Sequence, residues 1–245
     1  MHSILGNIKL LSYPYPAVFS ERCLPEDYYR KLQDTRPEWR GSIEGNNKRY
    51  DTHAYEILSD YTVPQIWKDF VGFHTSARYW IEWCRVFGDS VRAYYPWFEW
   101  AMGKKLEDLD VGVRGEQGKD IYLECQLSIN SPVQEKSSVI GPHLDNPTEL
   151  FGALLYMRDD STAGGDFEVH LCDNPKIMGK RLVTNSEPVL TLPYAKNSFA
   201  GFLNTYKSVH AVTPRDVTPN LRKMVNFTIE LCDEKKKLFN PEIYR

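Results

Sequence analysis

Two segments in the second half of the chain alternate apolar and polar side chains without interruption. They are residues 121–130 (IYLECQLSIN) and residues 222–231 (RKMVNFTIEL). A period of two is typical of a β-strand with one apolar and one polar face. The apolar faces can pack on helices, and the polar faces then line either a cavity or bulk solvent. We expect a cavity, with Arg222, Asn226 and Thr228 on its side of the second strand.

Shorter strands are predicted between these two segments. They are expected at 150–157, 166–171, 189–192 and 198–203. The first is nearly continuously apolar (LFGALLYM), which is typical of a central strand buried on both faces. A polar stretch at 172–187 is predicted to be a loop.

The first 112 residues are predicted to be mainly helical. Apolar residues recur at helical spacing over 24–36 and 63–87, and a further helical segment is expected at 90–109. Gly88 is expected to cap the second helix, and Pro96 to kink or split the third.

Two other N-terminal stretches lack a helical pattern. Residues 8–19 contain two prolines, which remove ladder donors, so we expect an edge strand or an extended arm. Residues 38–60 are polar and rich in turn formers, and we expect a loop or a pair of short strands.

The order of elements predicts an α+β fold. Many short strands after a helical N-terminal half indicate a double-stranded β-helix, the cupin-like jelly-roll barrel, backed by the N-terminal helices. We expect one domain over residues 1–245. Residues 1–112 would give mostly helical support, 113–232 the jelly-roll catalytic core and 233–245 a charged tail.

Composition narrows the class of protein. The net charge of −3 provides no field that favours nucleic acid, and no apolar run is long enough to predict a membrane span. The N-terminal sequence does not resemble a secretory signal. Five widely spaced cysteines without a C-x-x-C pair indicate reduced thiols and a cytoplasmic setting. A homodimer is compatible with this composition.

The stretch 141–170 carries a candidate metal motif. His143 and Asp145 form an H-x-D pair, and His210 follows 65 residues after Asp145. Two imidazoles and one carboxylate can occupy one face of a six-coordinate ion, as in the facial triad of non-haem Fe(II) oxygenases. A lone H-x-D is common, and His143 by itself is equally compatible with a structural histidine at a strand end. Arg222, twelve residues beyond His210, adds a guanidinium suited to a carboxylate ligand.

Four segments carry a resemblance to a known group of enzymes. GPHLDNP, LLYMRDDSTAGGDFEVH, FLNTYKSVHAVTP and RKMVNFT resemble the 2-oxoglutarate/Fe(II)-dependent oxygenase superfamily over residues 120–232. The prolyl-hydroxylase-like branch has a comparable layout. The GPHLDNP context, the NFT segment and the overall length are more similar to the small radical halogenase/hydroxylase family that acts on free amino acids such as lysine.

The resemblance implies particular roles for these residues. His143, Asp145 and His210 would hold Fe(II), and 2-oxoglutarate would place its far carboxylate on Arg222, with O2 as the oxidant. Arg215 and Lys223 are rival cations, but Lys223 falls on the other strand face and Arg215 lies in a proline-bounded turn. In the resembling halogenases a small residue replaces the carboxylate. Because Asp145 is present, we predict hydroxylation.

The substrate is predicted to be a small-molecule amino acid, with lysine implied by the resemblance. Its side-chain ammonium would need acidic or amide groups, which Glu124, Asn146, Asn226 and Thr228 offer, and Arg78 could hold its α-carboxylate. Each of these residues is equally compatible with ordinary hydrogen bonding in the fold. The alternatives are a prolyl-hydroxylase-like protein or peptide hydroxylase, a non-catalytic cupin-like metal-binding barrel, and a halogenase that depends on chloride.

Overall fold

The structure is a computed structural model that describes residues 2–178, 181–233 and 235–240. Within these ranges the helices are α1 (Glu26–Asp34), α2 (Ala54–Ser59), α3 (Gln65–His74), α4 (Ala77–Tyr94) and α5 (Phe98–Met102), with a 3₁₀ turn at Leu106–Asp108. The strands are β1 (Lys9–Leu11), β2 (Ala17–Ser20), β3 (Arg49–Thr52), β4 (Val111–Val113), β5 (Ile121–Asn130), β6 (Glu149–Tyr156), β7 (Phe167–Leu171), β8 (Ile177–Met178), β9 (Leu182–Val183), β10 (Glu187–Leu192), β11 (Phe199–Leu203), β12 (His210–Val212) and β13 (Arg222–Leu231).

A large, mostly antiparallel sheet forms the main layer. Its strand order is β1-β2-β11-β6-β13-β5-β3, and β4 pairs in parallel with β5. The two alternating segments are adjacent, and they pair along their whole length from Arg222 opposite Asn130 to Leu231 opposite Ile121. Both predicted strands are confirmed with the expected bounds, and the apolar run at 150–157 lies beside them as the central β6.

A smaller sheet faces the large one. It contains β10, β7 and β12 in that order. His143 extends it, because an antiparallel bridge joins His143 to His210 of β12 and another joins it to Leu182 of β9. In the described part of the chain no continuous ladder joins the two sheets. The arrangement is α+β with a large sheet and is consistent with a jelly roll.

Aromatic contacts connect the helices to the large sheet. The ring centroids of Phe70 on α3 and Phe227 on β13 are 6.2 Å apart, and those of Trp83 on α4 and Phe151 on β6 are 5.9 Å apart. These rings belong to one large buried apolar cluster. Phe227 and its apolar neighbours on β13 therefore point away from the face that carries Arg222, as the alternation predicted.

The helical region is divided differently from the prediction. The segment 63–87 forms two helices, because the first helix ends at His74. Ser76 caps the second helix, since its Oγ accepts a hydrogen bond from the Tyr79 amide. The predicted cap at Gly88 is wrong, since Gly88 lies buried inside α4. A Cβ at Gly88 would lie 3.2 Å from Arg92 Nη1 and 3.7 Å from Leu106, so Gly88 faces the 3₁₀ turn that follows α5. Pro96 separates α4 from α5, as predicted.

The other N-terminal stretches add strands to the large sheet. Residues 8–19 contain β1, at one edge of that sheet, and most of β2. Residues 38–60 form one strand, β3, followed by α2. The predicted loop at 172–187 contains the short β8–β9 hairpin.

None of the described helices is both long and apolar enough to cross a bilayer. All five cysteines are free thiols, and the four in the first 172 residues are buried. Part of the predicted tail, residues 234 and 241–245, lies outside the described residues.

Candidate functional site

The three predicted metal ligands lie together between the two sheets. Asp145 Oδ1 is 3.6 Å from His143 Nε2 and 3.7 Å from His210 Nε2. One donor atom from each residue lies within 4.8 Å of the others. This spacing allows all three atoms to bind a single ion, and a set of two imidazoles and one carboxylate fits Fe(II).

Both histidines are oriented by backbone carbonyls from two residues earlier in the chain. His143 Nδ1 lies 2.8 Å from the Gly141 carbonyl, and His210 Nδ1 lies 2.9 Å from the Ser208 carbonyl. A carbonyl can only accept, so each Nδ1 carries the proton and each Nε2 keeps its lone pair for a metal. Both Nε2 atoms face Asp145.

The protonation states also suit metal binding. Burial tends to raise the pKa of Asp145, but the adjacent His210 and His143, together with Arg181, hold that pKa well below its usual range. Burial and the proximity of His143 lower the pKa of His210 to about 4. At neutral pH Asp145 is therefore ionised and His210 is neutral, as metal ligands require.

Close packing fixes the position of Asp145. A Cβ at Gly152 of β6 would lie 3.0 Å from Asp145 Oδ2 and 3.2 Å from the Phe202 ring. The Phe202 ring in turn lies 4.3 Å from the His210 ring, measured between centroids. A larger residue at position 152 would therefore push on both the carboxylate and the aromatic wall beside the imidazole.

A cavity of about 460 Å³ contains the triad. Its walls come from both sheets, and the polar faces of β5 and β13 line it, as predicted. The polar lining residues are Arg49, Arg114, Gln126, Asn130, His143, Asp145, Glu149, Arg181, His210, Arg222, Asn226 and Thr228.

Arg222 supplies a buried positive charge to this cavity. It is 3% exposed, and its guanidinium donates to the Gly165 carbonyl at 2.7 Å and to Asn130 Oδ1 at 3.3 Å. The guanidinium also lies 5.1 Å from the ring centroids of Tyr156 and Tyr194. Its Nε has no hydrogen-bond partner, and no described carboxylate pairs with it. A buried charge without a counter-charge is costly, so this position favours an anionic ligand.

The Gly164–Gly165 turn makes room for this arginine. Both glycines have positive φ, at +82° and +87°. A Cβ at Gly164 would lie 2.0 Å from the Pro214 carbonyl oxygen, and one at Gly165 would lie 3.1 Å from Arg222 Nε. The turn therefore requires glycine at both positions.

The two rival cations have other partners. Arg215 is 1% exposed and outside the cavity lining, where it donates to the Asn47 side chain and to the carbonyls of Ser131 and Asn220. Lys223 points to the opposite face of β13 and pairs with Asp159.

The predicted substrate residues on the two long strands lie in or beside the cavity. Asn226 and Thr228 line it. Glu124 is opposite Thr228 on β5, 1% exposed and behind the lining. One oxygen of Glu124 lies 3.4 Å from His53 Nδ1. Its other oxygen and the Thr228 hydroxyl are buried without a hydrogen-bond partner.

Arg78 and Asn146 are corrections to the predicted substrate set. Arg78 lies on the outer face of α4, with its side chain 80% exposed and paired with Glu82 one turn later. Helical periodicity placed it at the edge of the apolar stripe, but that edge faces solvent. Asn146 is exposed, and its Oδ1 accepts a hydrogen bond from the Thr148 amide in its own turn. Neither residue lines the cavity.

Four charged cavity residues were not predicted as site residues: Arg49, Arg114, Glu149 and Arg181. Glu149 is the first residue of β6, and its position as an acid directly before an apolar run could have indicated a functional role. Arg181 lies between β8 and β9, in the polar stretch 172–187 that sequence patterns predict only as a loop.

No protein-family model matches the chain, and no curated protein matches it in sequence. Among solved structures, the chain is similar to a Pseudomonas putida prolyl-4-hydroxylase, with 12% identity and a TM-score of 0.44 over 88% of this chain and 92% of that one. It is also similar to an oxidoreductase of the 2OG-Fe(II) oxygenase family from Burkholderia pseudomallei, with 16% identity and a TM-score of 0.45 over 87% and 84% of the two chains. A third is a full-length Neurospora crassa protein in complex with alpha-KG, with 13% identity and a TM-score of 0.36 over 88% and 74%. None of these similarities is close enough to assign an activity to this chain.

Proposed function

We propose that this protein is an Fe(II)- and 2-oxoglutarate-dependent hydroxylase. Its substrate in this proposal is a free amino acid, lysine, and its product carries a hydroxyl group on a formerly unactivated carbon. We also propose that the two sheets act as the double-stranded β-helix barrel of such an enzyme, with the N-terminal helices as its support.

The observation that carries the proposal is the unpaired Arg222 in the same cavity as the triad. A metal site alone is compatible with a binding protein. The buried Arg222 adds a positive charge to the same cavity and favours a ligand that binds the metal at one end and carries an anionic group at the other. 2-Oxoglutarate is such a ligand, with its far carboxylate as the anionic group. A planar guanidinium can hold a carboxylate through two parallel hydrogen bonds.

Strand geometry separates a co-substrate end from a substrate end. Arg222 and Thr228 are six residues apart on β13, which corresponds to about 20 Å along the strand. Thr228 pairs with Gly152, the residue packed against Asp145. The metal ligands therefore lie on the Thr228 side of Arg222. Arg222 donates to Gly165, whose amide donates to the Thr213 carbonyl three residues beyond His210. Three residues correspond to about 10 Å, so the gap that a short dicarboxylate must bridge is about half the length from Arg222 to Thr228.

When bound, iron and 2-oxoglutarate supply the oxidising chemistry, in which O2 and 2-oxoglutarate yield succinate, CO2 and one oxygen atom for the C–H bond. The protein supplies position and exclusion of water. Arg222 would hold the co-substrate in one register, and the rings of Phe167 and Phe202 wall the cavity beside His210. These apolar walls restrict water around the reacting carbon.

The substrate ammonium is assigned to the far end of the cavity. Glu124 Oε1 and Thr228 Oγ1 are buried polar atoms without hydrogen bonds, and Arg114 approaches this Glu124 oxygen only to 3.8 Å. Thr228 lines the cavity and Glu124 lies behind it, so an ammonium group bound at Thr228 would also bring a positive charge towards Glu124. Asn226 already donates to Gln126 Oε1 at 2.8 Å, which leaves its own carbonyl oxygen for the substrate.

Asp145 supports hydroxylation over halogenation. A halogenase of the resembling type needs a small residue there, so that halide can take the carboxylate's place on the metal. Here the carboxylate lies between two histidines and against Gly152. We therefore expect turnover that does not depend on chloride.

The test is succinate release by the purified Fe(II)-loaded protein with 2-oxoglutarate, across the twenty free amino acids, with product mass recorded in parallel. The proposal expects stimulation by lysine, a product heavier by one oxygen atom, and loss of turnover in His143→Ala. Glu124→Gln should raise the KM for lysine, whereas the exposed Glu21→Gln should match the wild type.

Other outcomes separate the alternatives. If a peptide stimulates turnover and no free amino acid does, the proposed substrate is wrong and the protein is a peptide hydroxylase. Iron binding without any consumption of 2-oxoglutarate would contradict the oxygenase itself and favour a metal-binding barrel.

A further inference from the structure

We propose that Glu149 and Arg181 form a head-group subsite that binds the α-ammonium and the α-carboxylate of a free amino acid. The inference rests on the proposed function and deepens it, because it assigns the groups that distinguish a free amino acid from a residue within a peptide. It replaces the role predicted for Arg78.

Glu149 presents an unpaired carboxylate to the cavity. Within the described chain its carboxylate makes no hydrogen bond and no ion pair, although it lines the cavity at the first position of β6. Burial, with Asp145 and Glu230 close by, raises its pKa to about 8. Without a ligand the Glu149 carboxyl is therefore mostly protonated at neutral pH. An ammonium group beside it favours the ionised form and can donate hydrogen bonds to it.

Arg181 presents the opposite charge at the mouth of the cavity. Its side chain is exposed, lines the cavity and pairs with no described carboxylate. Its backbone is anchored at the triad, because the Arg181 carbonyl accepts a hydrogen bond from the Leu144 amide at 3.2 Å. The next residue, Leu182, bridges to His143. The guanidinium is thus tied to the metal site through one short stretch of backbone.

Glu149 and Arg181 act on the same end of the cavity. The positive charge of Arg181 lowers the pKa of Glu149 and of Asp145, so it lies near both carboxyls. No ion pair joins Arg181 to a described carboxylate, and Arg181 and Glu149 both line the one cavity, so a ligand there can contact both. The α-ammonium and α-carboxylate of an amino acid share one carbon, so their two partners must lie close together.

The subsite is distinct from the proposed side-chain site. On β13 Thr228 and Glu230 are successive residues of one face, and their partners are Glu124 for Thr228 and Glu149 for Glu230. Glu124 lies on β5 and Glu149 on β6, and these strands flank β13 on opposite sides. Two strand spacings and two residues along the strand separate their Cα atoms by roughly 12 Å. The two acidic groups therefore mark separate sites, one for each ammonium group of lysine.

The same charges would disfavour a peptide substrate. A residue within a peptide carries an amide nitrogen and a carbonyl at these positions, and neither is charged. Binding it would gain no charge-assisted contact with Glu149 or Arg181, so a peptide should bind more weakly than a free amino acid.

The test is a calorimetric titration of the full chain, loaded with Fe(II) and 2-oxoglutarate under nitrogen, where no turnover occurs. The probes are lysine, lysinamide and Nα-acetyl-lysine. In the wild type each blocked probe should bind about 10- to 100-fold more weakly than lysine, the range expected for losing one charge-assisted contact.

Two variants assign the two contacts. Arg181→Gln should bind lysine and lysinamide equally while still rejecting Nα-acetyl-lysine. Glu149→Gln should lose the rejection of Nα-acetyl-lysine while still preferring lysine over lysinamide. The matched controls are Arg78→Gln and Glu21→Gln, whose side chains are 80% and 79% exposed, and both should behave as the wild type.

The inference is overturned if wild type binds lysine and lysinamide equally, if it binds no free amino acid, or if Arg181→Gln keeps the wild-type preference between them. Failure of the proposed function is seen separately, as a lack of succinate formation in air with 2-oxoglutarate. If the protein binds lysine selectively but forms no succinate, the subsite is supported and the proposed oxygenase activity is contradicted.

Discussion

Replacing Arg222 with methionine separates a ligand-binding arginine from a structural one. Methionine keeps much of the apolar volume and removes the charge. In the folded protein without ligand, the substitution removes hydrogen bonds to Gly165 and Asn130 but also removes a buried charge that lacks a counter-charge. These effects oppose each other, since burying an unpaired charge costs several kcal/mol. We therefore expect a small change in the unliganded Tm.

The response to 2-oxoglutarate should change much more. A ligand at one hundred times its Kd stabilises a protein by about 2.7 kcal/mol, and a chain of this size gains roughly 2–4 °C per kcal/mol, so the wild-type Tm should rise by about 5–10 °C. Loss of a charge-assisted contact worth about 3 kcal/mol weakens binding roughly 150-fold. At the same concentration of 2-oxoglutarate, the shift for Arg222→Met should then be about 1 °C.

Thermal unfolding with Fe(II) under nitrogen, at graded 2-oxoglutarate concentrations, measures both quantities. Arg215→Met is the matched control, because Arg215 is equally buried but donates only to neutral oxygens of the protein. Arg215 also lacks a counter-charge, so the lost hydrogen bonds and the removed buried charge should again offset each other in the unliganded protein, and the ligand-induced shift should be kept. A full shift in Arg222→Met would refute the assignment of the co-substrate carboxylate to Arg222.

Three further predictions concern the triad, the glycine turn and a buried histidine. Asp145→Ala should reduce iron affinity about 10-fold or more in a metal-binding titration, and unchanged affinity would contradict the triad. Gly165→Ala should raise the KM for 2-oxoglutarate, because its Cβ would lie 3.1 Å from Arg222 Nε and its φ is +87°; an unchanged KM would separate the turn from the co-substrate. Burial lowers the pKa of His74 from 6.5 to about 3 while its Nε2 accepts the Ile4 amide. The unfolded chain therefore takes up this proton first, and the free energy of unfolding should fall between about pH 6.5 and 3, by up to ~1.4 kcal/mol per pH unit. Urea titrations at a series of pH values should show this decrease in the free energy of unfolding for the wild type, and the decrease should be smaller for His74→Gln.

The alternating strands and the triad were predictable because their signals are local or chemically specific. In 121–130 and 222–231 a period of two fixes which side chains share a face, and pairing of the strands keeps that assignment. The same parity placed Arg222 in the cavity and Lys223 outside it. His143 and Asp145 lie two residues apart, so His210 is the only member of the triad whose position depends on the tertiary fold.

Other features depend on packing that no local pattern reports. Gly88 has the residue type of a helix cap, but it lies buried inside α4 beside Leu106, a contact far along the chain. Arg78 lies at the edge of an apolar stripe, and only the tertiary structure determines that this edge faces solvent. Arg181 lies in a polar stretch without periodicity, and it reaches the cavity only because β9 bridges to His143.

The two backbone carbonyls behind the imidazoles determine how this centre can exchange its ion. Each acceptor belongs to the same short piece of chain as its histidine, at Gly141 for His143 and at Ser208 for His210. Neither ring relies on a distant side chain for its tautomer, so departure of the ion leaves both lone pairs aimed at the same point. Binding of an ion would then need no change in the tautomer of either ring.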